Sequence, residues 1–155
     1  MKTALRAQIQ AQLEEMLNNA REAADQAHHA ATHEESVAET QYDTLGLEAS
    51  YLAHGQSERV AQLEEELILL RQLPLKEFDE DTAISIDAVV SLTQLKQTRC
   101  YYLLPVAGGT KLQFQRQDIT IVSPEAPLAQ ALIGRFSGDE VDLPDGKTWL
   151  IDAVS

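Results

Sequence analysis

The chain has 155 residues, 44% of them hydrophobic and 5% aromatic, with a formal net charge of −13. That apolar share is ordinary for a folded protein, so disorder is not the default. The negative charge is spread over both halves, 13 acidic against 5 basic residues in 1–73 and 12 against 7 in 74–155. This removes the electrostatic footprint of a protein that grips nucleic acid by its phosphates. A basic partner surface, a bound cation or plain solubility fits the charge instead.

All five prolines lie at or after Pro74. Proline costs about 3 kcal/mol inside a helix, so the 73 residues before it are free to form long helices. From the start, apolar and small residues fall at Leu5, Ile9, Leu13, Met16, Ala20, Ala23, Ala27 and Ala30. The steps alternate between four and three, the seam of a coiled coil. Leucine, isoleucine and methionine come first and only alanine follows Ala20, so the packing is expected to weaken along the helix.

A second helical arm carries three heptad lines. They are Ala49, Gln56, Leu63 and Leu70; Leu45, Leu52 and Arg59; and Ala53, Val60 and Leu67. Its strong apolar residues, Leu63 and Leu67–Leu70, again lie far from the midpoint. A single straight helix would hold the two apolar ends roughly 80 Å apart and expose both stripes. The reading is therefore an antiparallel coiled-coil hairpin over 1–73, about fifty ångströms long, ended by Pro74. The bend is expected between about 33 and 44, with the tip near 33–46, where Gly46 also lies.

The tip is acidic. Glu35, Glu39 and Asp43 are spaced by four and share one face if that stretch is helical. Carboxylate oxygens suit a hard cation, and two of them can hold Mg²⁺ while water and phosphates complete the shell. The same spacing fits a solvated face of a charged hairpin, the commoner use of acidic runs. His28, His29, His33 and His54 lie in this half too. His29 and His33 have the i, i+4 spacing of a metal pair, but surface imidazoles are the simpler reading. No Gly-rich phosphate loop, nucleophile elbow or paired CxxC is present.

Residues 74–82 form an acidic connector. After it the periodicity shortens to that of strands: Ile84–Leu92, Thr98–Pro105, Leu112–Gln115, Ile119–Ser123 and Lys147–Val154. Gly108-Gly109 and Asp145-Gly146 mark turns. One helix is expected over Ala126–Gly134, with Ser123 as a cap, Pro127 in its first turn and Gly134 as its stop. Residues 83–155 thus read as a small antiparallel sheet with one packed helix, and the whole chain as a two-part α+β protein. Cys100 falls in a strand as a small buried hydrophobe. A lone cysteine suits a reducing compartment. The first ten residues lack the apolar core of a signal peptide, and no run of about 18 apolar residues occurs, so a cytoplasmic protein is expected.

At Ser123-Pro124-Glu125-Ala126-Pro127-Leu128-Ala129-Gln130-Ala131-Leu132-Ile133-Gly134-Arg135 and Gly138-Asp139-Glu140-Val141 the chain resembles the bacterial transcript cleavage factors GreA and GreB. The order of parts, coiled coil then compact domain, is similar too. The resemblance implies an FKBP-like C-terminal domain that docks on RNA polymerase, with Ser123, Pro124, Pro127, Leu128, Gly134 and Asp139 as its partner-binding block. It implies a coiled coil that enters the polymerase's secondary channel and meets the RNA 3′ end only at its tip. Glu35, Glu39 and Asp43 would assist cleavage of backtracked RNA there, and Glu35 and Glu39 would share the polymerase's Mg²⁺. The factor would be monomeric, bind no membrane, have no cofactor of its own and not be a free-standing enzyme. The tip departs from the family's pattern, since Gln41 stands where a glutamate is expected and Asp43 follows Tyr42. Two other readings stand beside this one. One is a non-cleaving regulator on the same channel, like the paralogue Rnk. The other is a prolyl isomerase, for which the scattered aromatics, read as core, offer no lined pocket.

Overall fold

The computed structural model describes residues 1–32 and 45–155. They divide into two compact units, one of Arg6–Arg71 and one of Met1–Leu5 with Gln72–Ser155.

The first unit is helical. Helix α1 spans Lys2–Thr32, its first turn grouping with the other unit, and α2 spans Leu45–Gln72. Two ion pairs fix their relative sense: Arg71 Nη2 to Glu14 Oε1 at 3.0 Å, and Arg21 Nη2 to Glu64 Oε1 at 3.2 Å. From the first pair to the second, α1 advances seven residues while α2 retreats seven. Only antiparallel helices do this, so the expected fold-back is observed.

The seam follows from which apolar residues share a face. On α1 it is Ile9, Leu13, Leu17, Ala20 and Ala27, all buried. On α2 it is Ala53, Leu63, Leu67 and Leu70, buried, with Ala49, Gln56 and Val60 half-buried between them. The α2 positions step four and three throughout, so two of the three expected heptad lines merge into one stripe. The third does not enter it, as Leu52 and Arg59 are exposed. On α1, Met16 is 38% exposed and Leu17 6%. Neighbours on a helix point about 100° apart, so only one of these two can enter the seam, and the branched leucine does. Ala23 is half-buried and Ala30 exposed. Ile68 and Leu69 are exposed for the same angular reason, sitting between Leu67 and Leu70 but off their line.

The second unit is a six-stranded sheet with one helix. In chain order it has β1 Val89–Gln94, β2 Gln97–Leu103, β3 Lys111–Phe114, β4 Gln117–Val122, α3 Pro127–Leu132, β5 Glu140–Asp142 and β6 Thr148–Val154. The strand order is β3-β4-β2-β1-β6-β5. Neighbours pair antiparallel except β2 and β4, which run parallel with Cys100 opposite Ile119. The sheet is therefore mixed rather than purely antiparallel, because the β3–β4 hairpin folds β4 back alongside β2. The expected strand from Ile84 begins only at Val89. Asp87 interrupts it with a φ of +79°, which no extended strand accommodates.

Helix α3 begins with Pro127 in its first turn, as expected, but its N-cap is Ala126 and no side chain caps it. Ser123 instead accepts the Ala126 amide through its carbonyl, at 3.1 Å. Ala129 and Leu132 pack from this helix into a core of Val90, Leu92, Leu103, Val122, Trp149 and Ile151. At about 25 cal/mol per Å² removed from water, burying this apolar layer stabilises the unit. Cys100 is buried in β2, and burial pushes its thiol pKa up to about 11.

Candidate functional site

Three places could carry function: the acidic stretch between the helices, the Ser123–Asp139 block, and the buried Asp87.

Glu35, Glu39 and Asp43 lie outside the described residues, as do His33 and Gln41. The helix before them ends with the Thr32 hydroxyl donating to the His28 carbonyl at 3.0 Å, closing the last turn on itself. His28 and His29 are exposed, and His54 lies 3.2 Å from Glu58 one turn on. Among the described residues no group of three or more His, Cys, Asp or Glu is arranged to hold a metal ion.

The Ser123–Asp139 block is a turn, a helix and a second turn, and most of its residues hold that shape. After the Ser123 turn, Gln130 Nε2 donates to the Pro124 carbonyl at 2.5 Å and ties the helix back to it. Leu128 packs against the core, while Pro127 is exposed. Gly134 stops the helix at φ +85°, a conformation that suits glycine. Its amide donates to Ile84 O at 2.9 Å, and the Ile84 amide donates to Arg135 O at 2.8 Å. The Asp139 carboxylate then accepts the Phe136 amide at 2.9 Å and closes the second turn. Five of the six residues named for partner binding are therefore bound into the frame, and Pro127 is exposed at its edge.

What that frame displays is different. Ile133 and Phe136 flank Gly134 and Arg135, and both apolar side chains are more than a third exposed. Sequence reading placed Phe136 in the core. The available signal was Gly134 itself, a helix stop after which the chain leaves the packed helix.

Asp87 is fully buried, yet its carboxylate is well supplied. Tyr102 donates its hydroxyl to Oδ1 at 2.6 Å and the Lys76 amide donates to Oδ2 at 2.7 Å. Lys2 Nζ lies 3.5 Å from Oδ2, donates to Lys76 O at 2.6 Å and sits 4.8 Å from the centre of the Phe78 ring. A buried charge is tolerable when paired and hydrogen-bonded in this way. The arrangement anchors the first turn of α1 and the segment after Pro74 to the sheet unit. Tyr102 and Trp149 are both fully buried, so the largest aromatics fill the core instead of lining a pocket.

No protein-family model matches the chain, and no curated protein matches it. Among solved structures, the GreA factor homolog 1 (Gfh1) of Thermus thermophilus is 19% identical over 94% of each chain, with a TM-score of 0.39. Gfh1 of Thermus aquaticus is 23% identical over 93% of this chain and 92% of its own, with a TM-score of 0.38. A further structure of the transcription factor Gfh1 is 19% identical over 94% and 92%, at 0.41. Similarity at this level carries no statement about site or activity.

Proposed function

We propose that this chain is an RNA polymerase accessory factor of the GreA/GreB type, which inserts its helical hairpin into the secondary channel. One observation carries the reading. An antiparallel two-helix hairpin is joined to a mixed-sheet α+β unit in which the Ser123–Val141 block builds a hydrogen-bonded turn-helix-turn. In this reading Pro127, Ile133 and Phe136 make the polymerase contact, on the frame set by Ser123, Pro124, Leu128, Gly134 and Asp139. Glu35, Glu39 and Asp43 are the oxygen donors a hard cation takes, and a Mg²⁺ shared with the polymerase would supply the charge that stabilises an attacking water. The chain's own part is to bring those carboxylates to the scissile phosphodiester and support cleavage of backtracked RNA.

A second reading is favoured by Gln41, which puts an amide where the cleavage factors carry a carboxylate. Under it the chain occupies the channel without promoting cleavage.

Stalled elongation complexes separate the two. The cleaving factor accelerates transcript shortening, and Glu35→Ala with Glu39→Ala abolishes the gain while polymerase binding persists. The regulator competes with an authentic cleavage factor and shortens nothing. Absence of both effects at saturating protein ends the proposal.

A further inference from the structure

The apolar pattern of the hairpin inverts along α2. At its far end Leu63, Leu67 and Leu70 are buried in the seam. Near its start the seam positions are alanines, Ala49 half-buried and Ala53 buried. The large apolar side chains there face away from the seam. Leu47 is 55% exposed, Tyr51 70% and Leu52 57%. Leu47 and Tyr51 lie one turn apart on a shared face. Each stands two residues before a seam alanine, about 200° round the helix from it. Further along that line His54, Glu58, Gln62 and Glu65 are exposed and polar. Folding gains nothing from this order, since leucine inside and alanine outside would bury more area. Isolated exposed leucines are ordinary, but three large apolar residues within positions 47–52 make a patch of the kind that marks a contact surface.

The charge around this patch is of one sign. Residues 22–58 hold eight acidic residues and no lysine or arginine, so they carry −8 of the chain's −13. Their only basic side chains are the imidazoles of His28, His29, His33 and His54. Among the described residues, Glu22 and Asp25 on α1 and Glu48 and Glu58 on α2 are exposed. That field selects the occupant. A second copy of this chain would set two such stretches against each other. Nucleic acid or an anionic membrane would set phosphate against carboxylate. A cationic protein surface gains twice, from apolar contact at the patch and from opposite charge around it.

We propose that Leu47, Tyr51 and Leu52 anchor the hairpin on its protein partner, in an apolar recess walled by lysine and arginine side chains. The proposal rests on the polymerase-factor reading, and adds to it the surface that holds the hairpin in place. That surface is separate from the carboxylates assigned to cleavage and from the Ser123–Asp139 block.

The test titrates the full chain into bacterial core RNA polymerase by calorimetry. Leu47→Gln with Tyr51→Gln is expected to weaken binding about tenfold or more. Glutamine is a good helix former, so the far-UV circular dichroism of this variant should match the parent. Leu69→Gln, on the same line about 27 Å further along α2, is expected to leave binding unchanged. Glu22→Lys with Glu48→Lys is expected to weaken binding about tenfold at low salt, and the difference should shrink as salt rises. Equal binding by the Leu47→Gln, Tyr51→Gln variant, equal loss from Leu69→Gln, or unchanged binding after charge reversal would each overturn the proposal. So would a free chain whose mass rises with concentration only while Leu47 and Tyr51 are present, since that gives the patch to a second copy. A parent chain that fails to bind polymerase ends the proposed function and this inference with it. Parent and variant binding alike ends this inference alone.

Discussion

The hairpin and the sheet unit bury different kinds of residue. Among the described residues between Arg6 and Arg71 the buried side chains are aliphatic and come from one stripe on each helix, with nothing larger than leucine or isoleucine. Toward the acidic stretch the stripe thins to Ala20, Ala27 and Ala53. The sheet unit instead encloses Trp149, Tyr102 and the charged Asp87. A repeated stripe spreads stability over many similar contacts, whereas a layer built on a few singular residues concentrates it.

Substitutions can break that contrast. The largest loss is expected from Trp149→Ala, about 3–5 kcal/mol by denaturant unfolding, because its cavity cannot collapse. Leu67→Ala should cost about 2–5 kcal/mol. Leu69→Ala, two residues on but outside the stripe, should stay within about 0.5 kcal/mol. Equal costs for the two leucines would refute the seam. Tyr102→Phe removes one donor from a buried carboxylate and should cost about 1–3 kcal/mol.

Smaller effects follow pH. Burial raises the Cys100 thiol from 9.0 to about 11. Between those values the unfolded chain loses the proton while the folded chain keeps it, so stability falls as pH rises through that window. Thiol-reagent kinetics should accordingly be slow for the native protein and fast once it unfolds. At the acid end, the Thr82 hydroxyl holds Asp79 below its usual value, and the Lys147 amide does the same for Asp145. Depressed carboxyls stabilise above their unfolded value of 3.8, and that stabilisation is lost as pH falls through the folded values. Melting temperatures measured from pH 6 to pH 2 check the sign.

Much of this architecture was legible from the chain alone. Pro74 ends α2 within two residues, and the line Ala49, Gln56, Leu63, Leu70 lies along the observed seam. Periodicity reports a face but does not choose between adjacent apolar neighbours, so Met16 displaced Leu17 in the sequence reading. It is also silent on pairing direction, which is why the parallel β2–β4 contact was missed. Strand β5, only Glu-Val-Asp, is too short and too charged to stand out. At the Ser123–Asp139 block, residue identity marked a helix and its glycine stop but not which side chains face outward. That depends on where the backbone reverses at Gly134.

The placement of β6 has a consequence for synthesis. It sits inside the sheet between β1 and β5, and the Val89 and Ser155 backbones exchange hydrogen bonds of 2.8 and 2.9 Å. Until residue 154 has left the ribosome, β1 has an open flank and β5 has no neighbour. At about 5–20 residues per second the helical arms are complete seconds earlier. On the growing polypeptide, then, the helices can pair while the sheet must wait for its last strand.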